Sequence, residues 1–121
     1  MEPEIRSHRD LTVWQKAMDL VVLTYRLSAG FPTSEAYRLT SQLTRAAASV
    51  PANIAEGFSR GSARDYAHYL SIAKGSLMEA ETFLMLAVRL EYLTSEQTAP
   101  VLGLVTEIEK MLSVLRKRLL E

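Results

Sequence analysis

Tyr66, Leu70, Ala73, Leu77, Ala80, Leu84 and Ala87 follow one another at spacings of four and three. Such a repeat brings an apolar residue to one helical face about every 3.5 positions, the pattern of a helix that packs on other helices along its length. A helix of about 28 residues carrying this stripe is roughly 42 Å long. Ser62 and Asp65 have the spacing of a capping box at its start. No stretch alternates with period two beyond a few residues, so no sheet is expected.

Three other segments share the helical period. Leu11, Trp14, Met18, Val21 and Tyr25 stripe a first helix that starts near Asp10 to Thr12, where Thr12 and Gln15 have capping-box spacing, and ends before Gly30-Phe31-Pro32. A second helix begins at Thr33 or Ser34, carries Leu39, Leu43, Ala46, Val50 and Ile54, and ends around Phe58 to Arg60. A fourth opens on Thr94 and Gln97, with a seam of Val101, Leu104, Ile108, Met111 or Leu112, Leu115 and Leu119. Pro100 either kinks its first turn or moves the regular start to Ala99. The expected fold is therefore all-α: an antiparallel up-down-up-down four-helix bundle over residues 11–121, after an N-terminal tail of residues 1–10.

Pro51 falls inside the second helix, where a missing N–H and a clash with the carbonyl four residues back cost about 3 kcal/mol. A bend there would free carbonyls near Ala47 and Ala48, which Ser49, Asn53 or water could satisfy. Ser49, Asn53 and Glu56 are spaced by four and three and share one face. Antiparallel pairing about Gly61 sets Arg45 level with Leu77 and Glu56 level with Tyr66. Glu79 interrupts the line Ile72, Glu79, Leu86; it is either the partner of a cation, with Arg45 and Lys16 as candidates, or an exposed interruption. The preferred reading is an interhelical polar network of Ser49, Asn53, Glu56 and Glu79 that fixes register.

Composition removes most chemistry. The chain has 121 residues and no cysteine, and 14 basic residues balance 14 acidic ones to a formal net charge of zero. Disulfides and thiolate sites are excluded, and no overall field draws the chain to nucleic acid or an anionic membrane. The start Met1-Glu2-Pro3-Glu4 is acidic and no apolar run is long enough to span a bilayer, so the expected location is the cytoplasm. A di-metal bundle site needs two Glu-x-x-His motifs and two further glutamates. Asp65-Tyr66-Ala67-His68 is a single approximate copy, and His8 lies in the tail. No serine occupies a strand-to-helix elbow. No catalytic residue, metal ligand or cofactor is expected.

Two interaction signals remain. Phe83-Leu84-Met85-Leu86-Ala87-Val88 and Leu20-Val21-Val22-Leu23 are apolar on every side of a helix, which points to a second buried surface and so to self-association. Between Arg38 and Arg64, four arginines (Arg38, Arg45, Arg60, Arg64) face one acid, Glu56. That excess is a weak signal for RNA or DNA contact near the turn between the second and third helices. Arg116-Lys117-Arg118 is offset by Glu107, Glu109 and Glu121, and suits the end of a helix dipole.

The assembled residues resemble a known family. Leu11-x-Val13-Trp14-Gln15-Lys16-Ala17 with Phe31-Pro32 looks like its first helix and turn. Gln42-x-x-Arg45-Ala46, Ser49-Val50-Pro51-x-Asn53-Ile54-Ala55-Glu56-Gly57 and Arg60 look like its second. Tyr69-Leu70 and Ala73-x-Gly75-Ser76-Leu77-x-Glu79-x-Glu81-Thr82 look like its third. This is the family of four-helix bundle proteins encoded in intervening sequences of 23S ribosomal RNA genes, which is similar to the accessory proteins of diversity-generating retroelements. The resemblance covers roughly Leu11 to Leu93; Pro100 departs from it. It implies a homopentameric ring or barrel without established activity and, for the retroelement relatives, a basic surface that binds nucleic acid and reverse transcriptase. The zero net charge departs from that last property.

Overall fold

The computed structural model describes residues 4–121; Met1-Glu2-Pro3, most of the acidic start, lies outside them. Four helices carry the chain: α1 (Thr12–Ser28), α2 (Leu39–Phe58), α3 (Ala63–Arg89) and α4 (Ser95–Leu119). α1 packs on α2 and α4, α3 packs on the same two, and the diagonal pairs do not meet. Side-chain contacts give the directions. Ser49 on α2 meets Ser76 on α3 while Arg60 meets Tyr69. Lys16 on α1 meets Glu107 on α4, and Leu11 to Val13 line a cleft with Lys110 to Arg118. Leu70 lies by Leu112, and Met85 by Ala99. Each neighbour is antiparallel, the up-down-up-down bundle. No helix of the described residues is long and apolar enough to cross a membrane.

The core is the sum of four stripes. On α3, Leu70, Ala73, Leu77, Ala80, Leu84 and Ala87 are each at most 1% exposed, so the heptad is buried as spaced; Tyr66, at its end, is half-buried. α2 contributes Leu39, Leu43, Ala46, Val50 and Ile54, and α1 contributes Val13, Ala17 and Leu20. The stripe expected on α1 lies beside that line, with Leu11, Trp14 and Val21 partly buried and Met18 and Tyr25 exposed. On α4 the buried line is Thr98, Val101, Val105, Ile108 and Leu112. Leu104, expected in that seam, is only partly buried beside Leu23 of α1. Thr98 sets the phase: its hydroxyl donates to the carbonyls of Thr94 and Ser95 at 3.1 Å each, so this polar residue enters the core satisfied.

The helix ends depart from the sequence pattern in instructive ways. Thr12 does not cap α1. Ser7 and Asp10 form a capping box around a 3-10 turn (His8–Asp10), and Gln15 Nε2 donates to the Arg9 carbonyl at 2.8 Å. Backbone N–H groups of Arg6 and Ser7 hold the Asp10 carboxyl below its ordinary 3.8. Its contribution is therefore complete above that value and fades as pH falls through the lowered one. An NMR titration of Asp10 is expected to show a midpoint below 3.8, with Arg6 and Ser7 amide shifts following it. Thr33–Glu35 form only a 3-10 turn, and α2 starts at Leu39. Between Phe31 and Leu39 no side chain is buried, and Tyr37 is 97% exposed. Without a packed face, a short helix has too little to stabilise it. Thr94 and Gln97 do form the expected capping box, and α4 runs through Pro100 from Ser95, so neither a start at Ala99 nor a broken first turn is observed.

Two features of the fold predict gains in stability. α3 ends in a Schellman arrangement, with Glu91 N–H on the Val88 carbonyl and Tyr92 N–H on the Ala87 carbonyl. Glu91 occupies the left-handed position at φ 64°, where glycine is usual. Glu91→Gly is expected to stabilise by up to about 1 kcal/mol, read as a higher urea midpoint. Thr24 is fully buried and its Oγ1 has no partner among the described residues. Thr24→Val, which keeps the shape and removes the orphaned group, is expected to stabilise by about 1 kcal/mol.

Candidate functional site

The polar residues around Pro51 lie on two different sides of α2. Pro51 itself is buried, and with Ala48, Ala52 and Ala55 it lines a groove against Trp14, Met18 and Val21 of α1. Burial of its ring offsets part of the cost of the missing N–H. On the other side Asn53 Nδ2 donates to the Ser49 carbonyl at 2.8 Å and to Ser49 Oγ at 2.9 Å, and Ser49 Oγ lies 2.8 Å from Ser76 Oγ. No side chain of the described residues donates to the carbonyls of Ala47 or Ala48. Asn53 reaches the Ser49 carbonyl because that group stands four residues back on its own face.

Gly57 explains how closely α2 and α3 approach. A Cβ there would stand 2.8 Å from Tyr69 Cβ and 3.2 Å from the Tyr66 carbonyl oxygen. One turn further, Arg60 donates to Glu56 Oε1 at 2.7 Å and to the Tyr69 hydroxyl at 2.6 Å, and its guanidinium lies 4.9 Å from the Tyr69 ring centroid. Tyr69 first, then Glu56, push the Arg60 pKa further up. The Tyr66 ring meets Phe58 edge-on at 6.0 Å; its hydroxyl is buried without a partner, and burial pushes its pKa up.

The four residues of the expected polar network therefore separate. Ser49 and Asn53 share hydrogen bonds with Ser76, Glu56 belongs to the Arg60–Tyr69 cluster, and Glu79 joins neither. Glu79 is exposed and makes no ion pair with Arg45 or Lys16. Lys16 is on the helix diagonal to α3 and pairs with Glu107 of α4 at 2.8 Å. Arg45 is exposed on α2 and makes no ion pair among the described residues. The alternative for Glu79, an exposed interruption between Ile72 and Leu86, is what the fold contains.

The register error has a physical cause. Pairing about Gly61 sets Ser49 opposite Ala73, yet it meets Ser76. Side chains lean toward the N-terminus of their own helix. On antiparallel neighbours the two leans oppose, so an α2 side chain meets an α3 residue further along the chain than backbone level suggests. Allowing for that lean would have exposed Ser76 and Tyr69 as partners.

The arginines also disperse. Arg38 precedes α2, at the opposite end from Arg60, about 33 Å away at 1.5 Å per residue. Arg45 sits between them. Only Arg60 and Arg64 share the α2–α3 turn, and Arg60 is already bound to Glu56. Arg116, Lys117 and Arg118, at the end of α4, are at the same end of the bundle as that turn. Among the described residues no group of three or more His, Asp or Glu side chains gathers to hold a metal ion.

A model of the 23S rRNA-intervening sequence protein family matches residues 9–114. The chain belongs to this family. A solved structure of a protein of unknown function from the S23 ribosomal protein family of Bacteroides thetaiotaomicron is similar to it. The two are 30% identical with a TM-score of 0.76, over 86% of this chain and 98% of that one. Among curated proteins nothing matches. The match to the 23S rRNA-intervening sequence family extends beyond Leu93 into most of α4, including Pro100. Pro51, Gly57 and the Ser49–Asn53 pair thus stand in a chain of that family as parts of the α1–α2 groove and the close α2–α3 contact.

Proposed function

We propose that this chain is a cytoplasmic, non-enzymatic bundle that assembles with copies of itself and acts as a scaffold or adaptor. The observation that supports this reading is the apolar outer surface of α1 and α2. The groove of about 340 Å³ between them is lined by Trp14, Met18, Val21, Ala48, Pro51, Ala52 and Ala55, without a single polar residue. Met18 and Tyr25 are 41% and 55% exposed on its α1 side, and Val22, 45% exposed, lies around α1 toward α4. On the outside of α3, Ile72 and Leu86, with Leu90 just after its end, are 39–44% exposed along one line that Glu79 interrupts, and Met85 is 53% exposed toward α4. Two unlike apolar faces on one chain suit a head-to-tail contact that closes into a ring, and five copies is the number implied by the family resemblance.

Light scattering on a sizing column at micromolar concentration tests this. The expected mass is a multiple of the 13.5 kDa chain. Met18→Glu with Ala52→Glu is expected to return it to one chain with helicity intact, since both side chains are exposed. A wild-type monomer overturns the reading.

The alternative is a nucleic-acid-binding accessory protein acting at the α2–α3 turn through Arg64 and Arg60. Its support is the pairing of these two arginines with the basic end of α4. Affinity for single-stranded RNA that weakens with salt, and a salt slope that falls by about 1 in Arg64→Ala, are the expected results. An unchanged slope rejects it.

A further inference from the structure

The first half of α3 and the last turns of α4 enclose a cleft of about 560 Å³, a size suited to a small ligand. Its floor is Leu70 and Leu112, both buried, and Leu120 stands at its rim. Ser71 and Lys74 face it from α3, Ser113 and Arg116 from α4. On each helix a hydroxyl precedes a cation by three residues, so both share one face. The antiparallel packing turns the two pairs into the same space, and Lys117 adds a third cation.

Arg116 and Lys117 make no ion pair among the described residues. Lys74 is engaged differently: its Nζ lies 3.3 Å from Glu109 Oε1 and 3.4 Å from Ser113 Oγ. Glu121 is the one acid that lines the cleft itself. The negative end of the α4 dipole opposes an anion here, but the carbonyls of Arg116 and Lys117 already accept from Leu120 N–H at 3.2 Å.

We propose that this cleft binds a small phosphate monoester. The dianion matches the two unpaired cations, the guanidinium of Arg116 offers a fork for two phosphate oxygens, and the Ser71 hydroxyl donates to a remaining one, while Ser113 Oγ donates to Glu109 Oε1 at 3.4 Å. The organic body rests on Leu70 and Leu112. Glu109 competes by holding Lys74 away from the ligand. The site is independent of the apolar α1–α2 groove.

Calorimetric titration of the full chain with phenyl phosphate and with inorganic phosphate tests the site. Phenyl phosphate is expected to bind about fivefold more tightly than inorganic phosphate because of its ring. Arg116→Ala with Lys117→Ala is expected to weaken it about tenfold or more. Glu109→Gln is expected to strengthen it about threefold by freeing Lys74. A gain of affinity is not something a damaged fold produces, which separates a binding role from a structural one. Absence of saturable binding, indifference to the double variant, or weaker binding in Glu109→Gln overturns the proposal. So does displacement of phenyl phosphate by single-stranded RNA lacking a terminal phosphate, which points to a nucleic-acid surface instead.

Discussion

Leu77→Ala is expected to lower stability by about 3 kcal/mol, within the 2–5 kcal/mol typical of a buried leucine truncated to alanine. Leu77 is fully buried at the middle of α3, the helix that packs on both α2 and α4. The lost transfer energy adds to a cavity that three rigid helices close only in part. In a domain of ordinary stability this is a large fraction of the total, equivalent to roughly 10 °C in Tm. Thermal unfolding followed by circular dichroism measures it, with Leu90→Ala as control. Leu90 is 44% exposed after the end of α3, and its truncation is expected to cost less than about 1 kcal/mol. Equal losses at the two positions would contradict the burial pattern.

Gly57→Ala is expected to destabilise by about 2 kcal/mol even though alanine is the better helix former by about 1 kcal/mol. The added methyl would meet Tyr69 Cβ at 2.8 Å and the Tyr66 carbonyl at 3.2 Å. Neither atom is the far end of a flexible side chain, so α2 and α3 must separate. Separation would also stretch the Ser49–Ser76 contact of 2.8 Å and the Arg60–Tyr69 contact of 2.6 Å. Gly75 supplies the contrast: a Cβ there meets nothing within 4 Å, and Gly75→Ala is expected to stabilise an isolated bundle by about 1 kcal/mol through helix propensity alone. Urea midpoints of the two variants should therefore move in opposite directions.

Those two glycines mark what the sequence could and could not reveal about the site. Both occupy helical positions, and nothing in their neighbours along the chain distinguishes them. Ser49 and Asn53 were legible as a pair because four residues separate positions on one helical face, a local geometry. Their partner Ser76 was not, because it depends on how far side chains lean where two helices meet. The Lys16–Glu79 pairing failed for a topological reason, since opposite corners of a four-helix bundle do not touch. Among the arginines, Arg38 and Arg60 are close in composition but at opposite ends of a helix.

The order of the helices, their antiparallel course and the buried stripes of α2 and α3 follow from periods of three and four, from Thr94 and Ser62 as caps, and from short loops. The stripe expected on α1 does not, because small and polar Ala17, Thr24 and Ser28 take the core side there. Periodicity is a property of neighbours along the chain, and burial of one face per helix is enough to select a bundle. The tertiary structure alone decided where the chain is tight and where it is open. The proline that looks costly in the sequence becomes one wall of an apolar groove, and Gly57 becomes the point of closest approach. The basic residues near the end of α4 become one side of a cleft whose other side is Ser71 and Lys74. Each of these depends on distances between helices, which no spacing within one helix encodes.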